Sequence, residues 1–449
     1  MINVSKDVIT IGLLSEITGG IYHGSDKEKL ITNISTDSRD IGENTVFIAL
    51  KGEIFDGHDF IESTLENGAV CVISEKSLPG NVIVVEDTYK ALADIAQFHK
   101  RKINPLTVAV TGSVGKTTTK EFIYYVVAEK YHAFKSEGNF NNEVGVPKTM
   151  LRMGREFKAL VLEMAMRGKG EIGKLSLCAE PDIAVITNIG MSHIELLGSK
   201  ENIRDAKLEI LQGLKPSGKL ILNGDDEYLK NIPNAIYVAF NNPEAKYIIH
   251  HIRKYYGYTI FSVNDTNEIR IPTIGEHNVF DAAVAYAVGR EIGMDDEQIL
   301  KGLNKFKHAA MRQNIYIYGG FTVIDDCYNA SPDSMKAAIK VLRRYNRGKK
   351  IAVLGDMLEL GTISEEMHKQ VGKAVTENNI DVLFTFGESA ANIAVGALES
   401  GFTGEIYKFN EINDLNEKIK QTLNKGDTIL FKASRAMKLE CTIKYLKGE

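Results

Sequence analysis

The sequence predicts an α/β protein of three domains, with a central P-loop domain on a parallel sheet, a small α/β domain before it and a Rossmann-like α/β domain after it. Three observations carry this expectation. Short apolar runs of strand type alternate with runs of helical periodicity along the whole chain. Asn104-Pro105 interrupts the first block, because a residue before proline is driven out of helical geometry. A glycine-rich turn, Thr111 to Thr117, joins a strand to a helix early in the second block.

Residues 1–103 contain the strand-like runs TVFIAL, AVCVIS and NVIVVE and end in the amphipathic YKALADIAQFHKR. Residues 104–310 begin with LTVAVTG and a helix from Lys116, followed by KALVLEMAM, DIAVITNIG, the helical SKENIRDAKLEILQGL and the strand GKLILNGDD. Between Ile236 and Ile271 the runs become short and β-rich, which predicts an antiparallel appendage before the helix NVFDAAVAYAVGREIG. Residues 311–449 repeat the alternation through FTVIDD, SMKAAIKVLRRY, KIAVLGD, VLFTFG and TILFKAS, a second parallel unit.

A chain of 449 residues that is 44% hydrophobic and 25% charged is long enough to bury two or three cores. The net charge of −5 implies no large basic surface, which argues against nucleic acid as a partner. Cys71, Cys178, Cys327 and Cys441 form no Cys-x-x-Cys pair, so neither a structural zinc site nor a disulfide framework is expected and a reducing cytoplasm suits them. No apolar run approaches the ~20 residues needed to span a bilayer, and the amino terminus lacks the pattern of a signal peptide. A cytoplasmic monomer is the expectation.

The chemistry concentrates in VAVTGSVGKTTTKEF. Backbone N–H groups of such a turn, together with the amino end of the following helix, converge on a phosphate. Gly112 and Gly115 shape the turn, Ser113 and Val114 lie between them, Lys116 reaches terminal phosphates, and the Thr117 hydroxyl suits Mg²⁺, with Thr118 following. The spacing is two residues shorter than the common ATP-binding pattern. Glu163 and His193 end two later strands on the same predicted rim, where they can serve as metal ligands or be a solvated loop residue and a structural imidazole. Lys207 lies on a helix, where a lysine is ordinarily a surface charge.

Beyond the loop, GNFNNEVGVPKTML, EMAMRGKGEI, ITNIGMSH, GEHNVFDAAVA, DDCYNASPDSM, VLGDMLELG and KASRAMKLE together resemble the Mur ligase superfamily, whose members join a carboxylate to an amine using ATP. Their loop reads Thr-Gly-x-x-Gly-Lys-Thr, so the shortened spacing is the family's own form. The segment STDSRDIGENTVFIALKGEIFDGHDFI resembles the domain with which later ligases of that pathway hold a uridine diphosphate sugar. NNEVGVP, DCYNASPDSM and KASRAMKLE resemble the members that add D-alanyl-D-alanine to UDP-N-acetylmuramoyl-tripeptide, and the Asp-Asn-Pro-Arg of the preceding ligase is absent.

The resemblance implies that the central domain is an ATPase domain and that Lys116, Glu163, His193 and Lys207 are catalytic. It implies that Thr117, Glu163, His193 and Lys207, the last as a carbamate formed from CO₂, hold two Mg²⁺ ions. It places Thr111 to Thr118, Asn278, Arg312 and Asp326 on ATP. Asp37, Ser38, Arg39, Asn141, Asn142, Tyr328, Asn329, Ser434 and Arg435 fall on the substrates. Asp281 stands where related ligases have an asparagine, and an ionised carboxylate cannot donate to an adenine nitrogen.

Three rival readings remain. A folate polyglutamate synthase shares the loop but lacks a separate amino-terminal sugar-nucleotide domain. A guanine-nucleotide switch is suggested by Asn424 to Asp427, NKGD, which lies in a different expected domain from the loop. A non-catalytic scaffold does not explain why Lys116, Thr117, Glu163, His193 and Lys207 all persist.

Overall fold

The computed structural model describes residues 1–4, 9–266 and 268–448. Three large sheets follow one another along the chain. The first has six strands, in which Asn33–Ser35, Thr45–Ile48, Ala69–Ser74 and Val82–Val84 run parallel and an antiparallel strand closes each edge. The third also has six, with Phe321–Asp325, Thr428–Lys432, Lys350–Gly355, Val382–Phe386 and Glu405–Phe409 parallel and Asn314–Tyr318 antiparallel at one edge.

The central sheet has nine strands. Leu106–Thr111 is the third strand from one edge, with Ala159–Glu163 on one side and Ile183–Ile186 on the other, all parallel. Their buried, nearly uninterrupted apolar runs are those of a sheet covered on both faces. The β-rich stretch is an extension of this sheet rather than an appendage. Ala235–Ala239 and Tyr247–Lys254 add parallel strands, and only Thr259–Val263 and Ile269–Ile271 turn antiparallel. The helix Glu276–Glu291 covers that extension, and Val279 to Gly289 are all buried along it, which ties these strands to the main core.

The helix Thr88–Ile103 starts on Asp87, whose carboxylate accepts from the N–H groups of Tyr89 and Lys90. It stops at Asn104, which leaves through a left-handed conformation (φ 49°) rather than an extended one before Pro105. Its apolar face packs on Gly145–Arg152 and Glu171–Ala179, so the first sheet and one face of the central sheet share a continuous core from Ile2 to Leu229. On the opposite face, the helix that begins at Lys116 buries Phe122, whose ring stacks on Phe306 at 3.6 Å. Among the described residues no helix is long and apolar enough to cross a membrane.

The Phe122 stack anchors the phosphate-loop helix, so Phe122→Ala lowers stability by about 3–5 kcal/mol as cavity and transfer costs combine. Calorimetry checks this as a fall in the unfolding transition of the central region, with the strength of nucleotide binding falling alongside.

Candidate functional site

Leu106–Thr111 delivers the chain to a turn that needs two glycines. Gly112 has φ 149° and Gly115 φ 88°. A methyl group on Gly112 would lie 1.9 Å from Thr187 Oγ1. That close approach serves a purpose, since Thr187 Oγ1 donates to the carbonyl of Val114 at 2.6 Å. Asn188 completes the clamp, its Nδ2 donating to the same carbonyl at 2.8 Å and its Oδ1 accepting from the Val114 N–H at 3.0 Å. The helix Lys116–Val127 starts immediately afterwards, with no side chain on its first N–H groups.

Lys116 folds back so that Nζ donates to the carbonyls of Gly112 and Ser113 at 2.8 and 3.3 Å. Burial lowers its pKa, an effect opposed by Glu163. Glu163 ends the neighbouring strand, opposite Val110 in register. Its buried carboxylate accepts from Thr117 Oγ1 at 2.8 Å and from Asn141 Nδ2 at 2.9 Å. Arg312 reaches the same point from the connection into the last sheet, with Nη2 3.4 Å from Thr117 Oγ1 and its guanidinium 4.0 Å above the Tyr328 ring. Its Nε is buried without a hydrogen-bond partner among the described residues, a donor suited to an anion.

Lys207 is not a surface charge. It is 2% exposed, in the last turn of the helix Lys200–Leu208. Burial first, and then the Lys116 cation, drive its pKa well below the usual lysine range.

His193 takes a left-handed conformation (φ 64°) and sets Nδ1 2.6 Å from Glu359 Oε2 on the last domain. Among the described residues no three His, Cys, Asp or Glu side chains gather as a metal-binding group. Thr117 and Glu163 therefore form one oxygen pair at the loop, while His193 faces a cavity of about 350 Å³ lined also by Lys116, Tyr328, Asn329, Ser434 and Arg435.

A second cavity, about 280 Å³, opens beside Gly115, Thr117 and Thr118 and is bounded by Asn278, Arg312 and Asp326. The Asn278 amide is engaged, donating to Ile274 O at 2.7 Å and to Gln313 Oε1 at 3.1 Å. Asp326 is held by Lys432 Nζ at 2.6 Å and accepts from the Gln313 N–H at 3.1 Å. Asp281 is buried and accepts from Thr119 Oγ1 at 2.8 Å. Burial pushes its pKa up to about 8, so it carries a proton at neutral pH and can donate where an ionised carboxylate cannot.

Asp37, Ser38, Arg39 and Asn142 line neither cavity. Asp37, Ser38 and Arg39 follow the strand Asn33–Ser35, where Arg39 grips Asp37 through Nε and Nη2 at 2.9 and 2.8 Å and holds that carboxyl well below its usual range. Asn142 caps the helix from Gly145, accepting from its N–H at 2.9 Å. Ser434 Oγ accepts from the Leu358 N–H at 2.9 Å, and Arg435 pairs with Glu440 at 2.7 Å. The NKGD stretch is a turn, in which Asp427 accepts from the N–H groups of Asn424 and Lys349. Reasoning from residues missed Thr187, Asn188, Gln313 and Lys432. Only Thr187 and Asn188 had a visible signal, a Thr-Asn pair closing a strand within ITNIGMSH.

A phosphate loop on a parallel sheet, an acidic strand end beside it and an arginine arriving from a third domain define a P-loop ligase architecture. The chain belongs to the Mur ligase family, matching its middle domain over residues 110–289, its glutamate ligase domain over 310–435 and its catalytic domain over 30–100. It is 41% identical over 439 residues, 96% of each chain, to the UDP-N-acetylmuramoyl-tripeptide--D-alanyl-D-alanine ligase of Bacillus subtilis. Among solved structures it superposes on MurF from Acinetobacter baumannii with a TM-score of 0.90 at 30% identity, covering 99% of both chains. MurF ligase from Thermotoga maritima in complex with ADP gives a TM-score of 0.85 at 32% identity, covering 93% of this chain and 97% of that one.

Gly112→Ala forces Thr187 away from the loop and unclamps Val114, so nucleotide affinity falls by a factor of about 10–100, the span of ~1.4–2.7 kcal/mol for one lost anchoring interaction; titration calorimetry with ADP measures it. Asp281 gives a second expectation. Its folded pKa lies above the ordinary carboxylate value, so the stability it contributes is fully present below about pH 4, where the unfolded chain is protonated too, and is lost as pH rises through about 8. Asp281→Asn removes this titration, and the melting temperature of the variant relative to the parent should rise between pH 5 and pH 8.

Proposed function

We propose that this chain joins the amino group of D-alanyl-D-alanine to the carboxylate of UDP-N-acetylmuramoyl-tripeptide, with ATP as phosphoryl donor and ADP and phosphate as by-products. The observation that carries the reading is the meeting of Lys116, Thr117, Glu163 and Arg312 at the mouth of a clamped phosphate loop. The Bacillus subtilis relative of the same name, matched over 96% of both chains, supports the choice of substrates.

The tripeptide carboxylate attacks the γ-phosphorus, forming an acyl phosphate as ADP departs. The dipeptide amine then attacks the acyl carbon, loses a proton and expels phosphate. The first step is positioning and charge neutralisation. Loop N–H groups hold the β-phosphate, Lys116 swings from the Gly112 carbonyl onto the transferring phosphoryl group, and Arg312 fills its orphaned Nε–H from the same anion.

The Thr117 hydroxyl and Glu163 carboxylate are hard oxygen donors 2.8 Å apart and fit Mg²⁺. Bound there, the ion would neutralise charge on the phosphate oxygens. Burial lowers the Lys207 pKa, which favours the neutral amine that adds CO₂, and as a carbamate it would supply further oxygen ligands, with His193 contributing from the facing cavity. Tyr328, Asn329, Ser434 and Arg435 enclose the space between Lys116 and His193, where the dipeptide would enter while water is excluded. Asp37, Ser38 and Arg39 hold the uridine diphosphate end, Arg39 exchanging its grip on Asp37 for pyrophosphate.

Phosphate release in the presence of ATP, Mg²⁺, the UDP-linked tripeptide and D-alanyl-D-alanine tests the activity; release requires all four components and is matched mole for mole by the pentapeptide product. Release that persists without the dipeptide, or with no product, overturns the reading. Lys207→Ala should lower kcat by about 10²–10³, the loss typical of one electrostatic group at a phosphoryl-transfer site, with partial recovery on adding short carboxylates.

A further inference from the structure

The connection between the second and third sheets carries a side chain that no step of the ligation outlined above uses. Gln313 follows Arg312 directly and precedes the strand Asn314–Tyr318, and it is 7% exposed. Both polar atoms of its amide are paired with the central domain. Oε1 accepts from His277 Nε2 at 2.8 Å and from Asn278 Nδ2 at 3.1 Å, while Nε2 donates to the Ile274 carbonyl at 2.7 Å. These three partners surround the start of the helix Glu276–Glu291. The backbone of Gln313 faces the other way. Its N–H donates to Asp326 Oδ1 at 3.1 Å on the last domain, and Lys432 Nζ holds the other oxygen of that carboxylate at 2.6 Å.

The contrast with Arg312 gives this arrangement a purpose. Arg312 has weaker ties of its own: its N–H donates to the Ala309 carbonyl at 3.3 Å, Nη2 is 3.4 Å from Thr117 Oγ1, and the guanidinium lies over Tyr328. The short hydrogen bonds of the connection belong to its neighbour. Met311 and Gln313 on either side have φ 57° and 50°, left-handed conformations that a non-glycine residue keeps only where its surroundings over-determine them. The two turned residues set the direction in which the Arg312 side chain leaves the backbone.

We infer that Gln313 is a positioning residue, clamping the connection to both domains so that Arg312 stays aimed at the anion held by the phosphate loop. Removing a buried amide leaves His277, Asn278 and the Ile274 carbonyl short of a partner, so the clamp resists rotation of the connection. The inference rests on Arg312 meeting the nucleotide phosphates in the reading above, and it is independent of which acceptor is ligated.

The test is a double-mutant cycle on the full chain, read as affinity for adenylyl imidodiphosphate by titration calorimetry. Arg312→Met should weaken binding about 10–100-fold, the span of a charge-assisted hydrogen bond. Gln313→Gly relieves the left-handed strain but removes the anchors, and should weaken binding by about 10-fold. In that background Arg312→Met should cost less than about 3-fold more, because neighbours acting as a unit are not additive. Gln313→Asn tolerates the left-handed backbone with a side chain one methylene too short, and should show the same loss and the same coupling. A purely structural role predicts additive losses instead. Additive effects in both variants, unchanged affinity in both, or a parent indifferent to Arg312→Met overturn the inference. A parent that shows the coupling but forms no pentapeptide upholds it and sinks the proposed ligation.

Discussion

The grip of Thr187 and Asn188 on the Val114 peptide is the constraint on which the rest of this site depends. A phosphate loop works because its N–H groups point to one place before the anion arrives. Here only two residues separate the glycines, and both backbone polar groups of Val114 are engaged by the clamp. The clamp comes from the end of Ile183–Ile186, which runs in parallel register with Leu106–Thr111. Glu163 ends the strand on the other side. Loop, clamp and acid thus occupy three adjacent strand ends, and the parallel sheet sets the spacing among them.

The charge distribution around that point is unbalanced in a useful way. Lys116 and Arg312 lie near the buried carboxylate of Glu163, and Lys116 is close enough to the buried Lys207 to lower its pKa. Lys116 donates to backbone carbonyls, and Arg312 lies over Tyr328 with its Nε unpaired among the described residues. A nucleotide would relieve both conditions. Arg312 is also flanked by Met311 and Gln313, each in a left-handed conformation, so the connection that delivers it into the site is itself strained.

Much of this was visible in the chain. The alternation of apolar strands and periodic helices predicted three α/β units, because strand and helix periods differ enough to be separated by eye. Gly112, Gly115, Lys116 and Thr117 announced the loop, since phosphate binding by backbone requires those residue types together. Glu163 could be placed on the same rim because both residues close neighbouring strands. The β-rich stretch was harder to read, as parallel and antiparallel pairing leave similar marks in short strands, and the helix Glu276–Glu291 decided that it joins the main sheet.

The sequence by itself determined the fold class and the identity of the phosphate loop, because both follow from local patterns that need no distant partner. Tertiary structure alone decided the state of the charges. Lys207 is an ordinary helical lysine until burial beside Lys116 lowers its pKa, and Asp281 is an ordinary acid until burial in the core raises its own. His193 meets Glu359, 166 positions further along the chain, only because two domains pack on each other. Protonation and pairing depend on solvent exclusion and on neighbours remote in the chain, and neither quantity is encoded by any short stretch of residues.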